Sequence, residues 1–276
     1  MAPNVAIIQG TGSGIGAQIA KQYLSRTGLQ VVALSRDASR AKDAILSGDT
    51  SLDASRLHTI SLDISSEDSY HSAASEISSR FGHSCLKTLW NINGILHAEK
   101  NLSQISLEHV QQTFAVNTFS HLLAFKHFVP LIPRGAEAKQ ILEGQADNVA
   151  EGVLPGDLSV VASLSARVGS IGDNSKGGWY SYRASKAALN QLIKTLSKEL
   201  ELRSVPAISV GLHPGTVRSN LSKNFTGGEG SDKPLDRSKG QFEASEAAKN
   251  LVDVVSALTK ADNGTLRDYK NDIIQW

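Results

Sequence analysis

The chain has 276 residues, enough for one large α/β unit with a substantial buried core. Hydrophobic residues make up 40% and charged residues 20%, and a formal net charge of +1 leaves no electrostatic footprint for nucleic acid or an anionic membrane surface. No apolar run reaches the roughly 18 residues of a membrane span, the N-terminus lacks a signal-peptide pattern, and the single cysteine, Cys85, rules out an internal disulfide, so the expected setting is cytoplasmic.

Short apolar runs alternate with longer helix-patterned stretches. Val5 to Ile8 reads as a strand and Gly10 to Gly16 as a glycine-rich turn. Ala17 to Ser25 has helical spacing, with Ile19, Ala20, Tyr23 and Leu24 on one side. Gln30 to Leu34 is a strand and Asp37 to Leu46 a helix. Leu57 to Leu62 is the third strand. The helix that follows runs from about Ser66 to Phe81, with Ser66 as N-cap and Glu67 and Asp68 in its first turn. Leu86 to Trp90 is the fourth strand, and a long helical stretch covers Leu107 to Leu131. Leu158 to Ala162, Trp179 to Leu202, Ala207 to Leu212 and Glu243 to Leu258 continue the alternation, with Thr265 to Tyr269 as a seventh strand.

This alternation predicts a single-domain α/β Rossmann fold over residues 1–276. Its core is a doubly wound parallel sheet of about seven strands with helices on both faces. Two polar, glycine-rich segments interrupt the rhythm. Residues 133–156 read as a surface insertion. Residues 220–241 lie past the carboxyl end of the sixth strand, where ligands bind in such sheets, and read as a mobile substrate-covering loop.

Between the first strand and first helix stands Gly10-Thr11-Gly12-Ser13-Gly14-Ile15-Gly16. Glycines there let a pyrophosphate approach the unpaired N–H groups of a helix N-terminus. The second strand ends in Ser35-Arg36-Asp37, about 20 residues on. Arg36 carries planar donors suited to a 2′-phosphate, which favours NADP(H) over NAD(H). Asp37 is one step late for a ribose hydroxyl and equally suits the N-cap of the next helix. Asp63 and Ile64 follow the third strand, where a carboxylate can accept from an adenine amino group, and Asp63 also suits an ordinary turn.

Tyr182-Arg-Ala-Ser-Lys186 puts a phenol and an ammonium four residues apart on one helical face. Such a neighbour favours phenolate and lowers the tyrosine pKa from about 10. The spacing alone is common. With the glycine loop, Asp63, Asn91-Ile92-Asn93-Gly94, Asn117, a serine at 163–165 and Pro214-Gly215-Thr216-Val217 in this order, the chain resembles the short-chain dehydrogenase/reductase superfamily from Val5 to about Leu258.

The resemblance implies roles. Tyr182 is the general acid/base, and Lys186 holds the nicotinamide ribose and depresses the tyrosine pKa. Asn117 supports a water that relays protons toward Lys186, or is otherwise a buried polar residue bonded within its helix. Asn91, Asn93, Gly94 and Pro214 to Val217 contact the cofactor. A serine holds the substrate oxygen. The family register, counted back from Gly169, falls on Ala166, so Ser165 is the first choice, with Ser163 second. Gln9 stands where the family usually has threonine. The stretch from Ser165 to Tyr182 resembles sniffer-type carbonyl reductases and C-factor-like proteins.

The expected activity is NADP(H)-dependent exchange of a hydride with a small-molecule carbonyl or alcohol, with no metal. A non-enzymatic NADP-binding sensor and an epimerase or dehydratase of the same fold are the alternatives. The apolar stripe Phe114, Phe119, Leu122, Phe125 and Phe128 fits either a core or a subunit contact, which leaves monomer, homodimer and homotetramer open.

Overall fold

In the computed structural model the chain winds a large sheet between two helical layers, and the structure describes residues 4–136, 138, 150, 152–156 and 158–276. β1 (Val5–Gln9), β2 (Gln30–Ser35), β3 (Leu57–Ser61), β4 (Leu86–Asn91), β5 (Ser159–Leu164) and β6 (Ala207–His213) run parallel, in the order β3-β2-β1-β4-β5-β6. The order reverses between β1 and β4, and a crevice opens there beyond the carboxyl ends of the strands. The sheet holds eight strands rather than about seven. β9 (Leu266–Asp268) adds parallel to β6, and β10 (Ile273–Ile274) folds back antiparallel on β9. A second, two-stranded sheet pairs β7 (Thr216–Val217) with β8 (Gln241–Phe242).

The nearly all-apolar strands feed two cores. Along β1, Ala6 and Ile8 face one side while Val5 and Ile7 face the other. The first core is closed by α1 (Gly14–Arg26) and α7 (Ala244–Ser256), through Ile19, Ala20 and Tyr23 against Ala248, Leu251 and Val252. The second is closed by α3 (Glu67–Phe81), α5 (Ser120–Phe128) and α6 (Tyr180–Leu202). Full burial of a large apolar side chain contributes about 1.5–3 kcal/mol. Ser66 caps α3 by accepting from Ser69 N, as expected, and Asp37 caps α2 (Ala38–Leu46) by accepting from Arg40 N at 2.9 Å.

The stretch from 107 to 131 is not one α-helix. α4 (Leu107–Phe114) and α5 are joined by a π-helical turn over Ala115–Phe119, and a 3₁₀ turn, Val129–Leu131, ends the run. Periodicity near 3.6 cannot register one residue of extra winding, and π turns of this kind gather at functional sites. The apolar stripe also divides. Phe125 and Phe128 belong to the core, while Phe119 and Leu122 are 54% and 45% exposed.

Most of the 133–156 segment lies outside the described residues. Of its described residues, Arg134 to Ala136 are exposed, whereas at its far end Ala150, Val153 and Leu154 are buried in the first core. The Lys87 ammonium donates to the carbonyls of Pro155, Gly156 and Leu158, which ties this end to β4.

Candidate active site

The glycines of the first turn are required by close approach. A Cβ on Gly16 would collide with the Gly10 carbonyl, and one on Gly12 would lie 3.0 Å from Ser35 Oγ. Gly10 sits at φ +96°, where a side chain would also meet Asn93 Oδ1 at 2.8 Å. Ser13 stands exposed at the N-cap of α1 and makes no side-chain capping bond. Arg36 is exposed at the end of β2 and forms no ion pair among the described residues. It lies close enough to Asp63 to help lower that carboxyl's pKa, although Ser65, donating through both N and Oγ, is the larger cause. Ile64 is half-buried beside Asp63.

A polar row crosses the carboxyl ends of the central strands. Gln9, Asn91 and Ser163 are register partners on β1, β4 and β5. Asn91 Nδ2 donates to Ser163 Oγ at 3.4 Å, and Gln9 Nε2 donates to the Tyr70 hydroxyl at 2.9 Å. Ser163 is thereby committed inside the sheet. In front of this row lies a cavity of about 390 Å³. Ile15, Asn93 and Gly94 line one side of it, and Pro214, Gly215, Thr216 and Val217 another. Gly215 takes φ +79°, and a Cβ there would stand 2.5 Å from Gly240 O.

Ser165, Tyr182 and Lys186 share the third wall. Ser165 follows directly on β5, and its N–H donates to Leu212 O, which continues the β5–β6 ladder one residue further. A 3₁₀ turn, Arg167–Gly169, then bends the chain against α6. Gly169 packs there so tightly that a Cβ would lie 2.8 Å from the Lys186 backbone. Ala166 lines the same cavity, so the one-residue offset places Ser165 and Ala166 together on the wall.

Asn117 is fully buried and stands behind this wall. Its Oδ1 accepts from Ile95 N at 2.8 Å, and its Nδ2 donates to Ile95 O at 3.0 Å and Ser185 Oγ at 3.1 Å. Both amide protons are spent on holding the β4 exit loop to α6, so the side chain is not bonded within its own helix. Asn117 lies in the middle of the π turn.

The electrostatics differ from the sequence expectation. Lys186 Nζ lies 6.0 Å from the Tyr182 ring centre and donates to Leu164 O at 2.7 Å. Burial lowers the Lys186 pKa to about 7 and raises that of Tyr182 to about 12. The ammonium therefore does not depress the tyrosine here: the Leu164 carbonyl engages it, and desolvation dominates both groups. Tyr182 stays a neutral phenol through the physiological range, and its hydroxyl has no hydrogen-bond partner among the described residues.

Residues 4–141 match the family model for short chain dehydrogenase. The chain belongs to the short-chain dehydrogenase family. It is similar to an uncharacterized oxidoreductase of Schizosaccharomyces pombe, 27% identical over 99% of this chain and 98% of that protein. In fold it is similar to an NADPH-bound carbonyl reductase from chicken fatty liver, with a TM-score of 0.78, 24% identity and full coverage of both chains. It likewise resembles the carbonyl reductase Sniffer of Drosophila melanogaster, with a TM-score of 0.77, 22% identity and full coverage of both.

Several residues of this short-chain dehydrogenase site escaped the sequence reading. Trp179 lines the same cavity, and its backbone conformation gave no sign in the sequence beyond the glycines before it. After Gly177 and Gly178, both at positive φ, it takes a left-handed conformation at φ 52°, where a side chain is strained by about 1–2 kcal/mol. The turn stacks its indole edge-on to Tyr182 and tilted against Phe225, with ring centres 6.2 and 5.5 Å away. Asn190 continues the i, i+4, i+8 face of Tyr182 and Lys186, a signal that was available. Arg218 was missed entirely. It is buried and donates to Glu243 Oε1, Thr226 O and Lys233 O, at 2.8, 2.8 and 2.6 Å.

Arg218 thus pins the 220–241 loop, which the composition alone marks as mobile, and from that loop Leu221 and Phe225 reach the cavity. Arg218→Met is expected to destabilise the protein by about 1–3 kcal/mol, the cost of unpaired buried acceptors. It should also make the loop cleavable by trypsin under native conditions. A cleavage pattern like wild type would remove Arg218 as the pin.

No helix among the described residues is long and apolar enough to cross a membrane, and among them no group of three or more His, Cys, Asp or Glu is disposed to hold a metal.

Proposed function

We propose that the chain is an NADP(H)-dependent carbonyl reductase, built as one dinucleotide-binding unit and working in the cytoplasm on a small-molecule aldehyde, ketone or quinone. The observation that carries this reading is the unspent Tyr182 hydroxyl on a cavity wall shared with Ser165 and Lys186. The glycine turn supports a dinucleotide, since a Cβ at Gly10, Gly12 or Gly16 would press on the loop's own neighbours and break the tight turn that opens α1. Asn93, Gly94 and Pro214 to Val217 would hold its nicotinamide end, and Ser35, Arg36, Asp63 and Ile64 its adenine end. When bound, that cofactor supplies or accepts the hydride.

The chain's own residues would handle the oxygen. An alkoxide forming on the substrate is a far stronger base than a phenolate, so the neutral Tyr182 phenol would give its proton downhill. Ser165 would hydrogen-bond the oxygen as charge develops. Lys186, with a pKa near neutrality, is able to return a proton toward Tyr182, with Asn117 holding the backbone behind it. Leu221, Phe225 and Trp179 would exclude water from the reacting centre. The free Cys85 thiol suits a reducing compartment.

The direct test is NADPH oxidation against a panel of aldehydes, ketones and quinones. Turnover with at least one class is expected, and none across the panel overturns the reading. Arg36→Ala is expected to raise KM for NADPH by roughly 10–100-fold, the range of one or more charge-assisted hydrogen bonds, and to leave KM for NADH unchanged. Equal effects on both cofactors would remove Arg36 as the phosphate contact.

A further inference from the structure

Ser165 does not stand alone at the end of β5. Its Oγ donates to Asn190 Oδ1 at 2.6 Å, a short bond between two buried groups. In this arrangement the serine hydrogen points into the protein, and only its lone pairs are left for the cavity. A group that is to steady a developing oxyanion must donate, and here its proton is already spent.

The other end of the same amide is anomalous. Asn190 Nδ2 is buried and has no acceptor. The turn at Gly169 packs against it, and Gly169 N–H, itself a donor, is already spent on Ala166 O. Buried N–H groups without a partner are rare, and unsatisfied carbonyl oxygens are tolerated more readily. The two ends of an amide are nearly the same size, so a half-turn about its last torsion fits the same envelope. That half-turn brings Nδ2 onto Ser165 Oγ and removes the orphaned donor.

We propose that Asn190 is a positioning residue that sets the direction of the Ser165 hydroxyl. With the carboxamide oxygen toward the serine, the site is closed to oxyanion donation. With the nitrogen toward it, the serine accepts from Asn190 and its hydrogen is released toward the substrate oxygen. Tyr182, Lys186 and Asn190, at successive i+4 positions of α6, then serve one oxygen, Tyr182 directly, Lys186 through Tyr182 and Asn190 through Ser165. The inference rests on the reading of Ser165 as the donor to the substrate oxygen.

Asn190→Asp tests it, because a carboxylate can only accept and holds the serine hydrogen away from the cavity. With NADPH and para-nitrobenzaldehyde as probe, kcat at neutral pH is expected to fall at least roughly tenfold, with KM for NADPH unchanged. The deficit should shrink as pH is lowered, since a protonated carboxyl at 190 can donate to Ser165 again. In a Ser165→Ala background the same substitution should change kcat by less than about twofold. Should the aspartate prevent folding, Asn190→Ala carries the same cycle: a loss in the wild-type background that vanishes beside Ser165→Ala.

Equal losses in both backgrounds, or a deficit that does not vary with pH, would overturn the positioning role and leave the reductase reading intact. Wild-type turnover by Ser165→Ala alone would instead overturn the assignment of Ser165, and the Asn190 proposal with it.

Discussion

Replacing Tyr182 by Phe is expected to lower turnover by roughly 10²–10⁴-fold, the usual contribution of a positioned general acid, and to leave NADPH binding and Tm close to wild type. The two halves of this expectation come from different observations. The ring packs edge-on against Trp179, and phenylalanine keeps that contact. The hydroxyl has no partner among the described residues, so its removal orphans nothing in the protein. What is lost is the proton. Burial raises the phenol to about 12, which keeps it protonated and ready to donate when a carbonyl is reduced. The check is kcat with the best carbonyl of the panel, alongside NADPH titration and thermal melting of the same sample. Turnover near wild type would remove Tyr182 from the chemistry. A parallel collapse of Tm would recast it as structural.

The sheet was legible because its strands are buried on both faces and read as continuous apolar runs. Ala6 and Ile8 against Val5 and Ile7 are plain in the sequence even though the two cores they enter are not. The glycine loop was legible because three of its glycines are forced by backbone or side-chain approach. Features that depend on geometry finer than periodicity were not. The π turn at Ala115–Phe119 looks helical in sequence, and Trp179 gives no sign of its positive φ beyond the two glycines before it. The Tyr182 pKa went the wrong way because a four-residue spacing specifies proximity of Cα atoms, whereas the shift depends on where the ammonium ends. Lys186 Nζ ends on Leu164 O, 22 residues earlier in the chain, and no local pattern encodes that bond. Arg218 was invisible for the same reason, since two of its three acceptors are backbone carbonyls brought near by the loop itself.

Lys186→Met is expected to impair turnover and, at pH 7, to make the protein more stable. Lys186 is buried with no carboxylate partner among the described residues, and its pKa in the fold is about 7 against 10.5 for a free lysine. Below pH 7 the ammonium is protonated in both states, and the folded state bears the whole desolvation cost. Between pH 7 and 10.5 the unfolded chain binds the extra proton, so stability rises with pH. Each unit is worth about 1.4 kcal/mol, which makes the burden at pH 7 several kcal/mol and its relief between pH 7 and 9 about 2 kcal/mol. The lost bond to Leu164 O offsets only about 1 kcal/mol. The other shifted groups leave this window clear. His121 and His213, lowered by burial to about 3 and 4, titrate below it, Tyr182, raised from 10 to about 12, acts above it, and Cys85, raised from 9 to about 11, opposes the rise only at its upper edge. Wild-type Tm should therefore climb by several degrees from pH 7 to 9. Over the same range the Met variant should stay flat from a higher starting point, so that the two curves converge. Parallel curves would mean that the ammonium is not desolvated in the fold. A less stable variant at every pH would mean that the Leu164 bond outweighs the burial. A lysine that costs stability at the wall of a cavity fits the catalytic role proposed for it. The melting curves thus bear on the catalytic reading without requiring the substrate to be known.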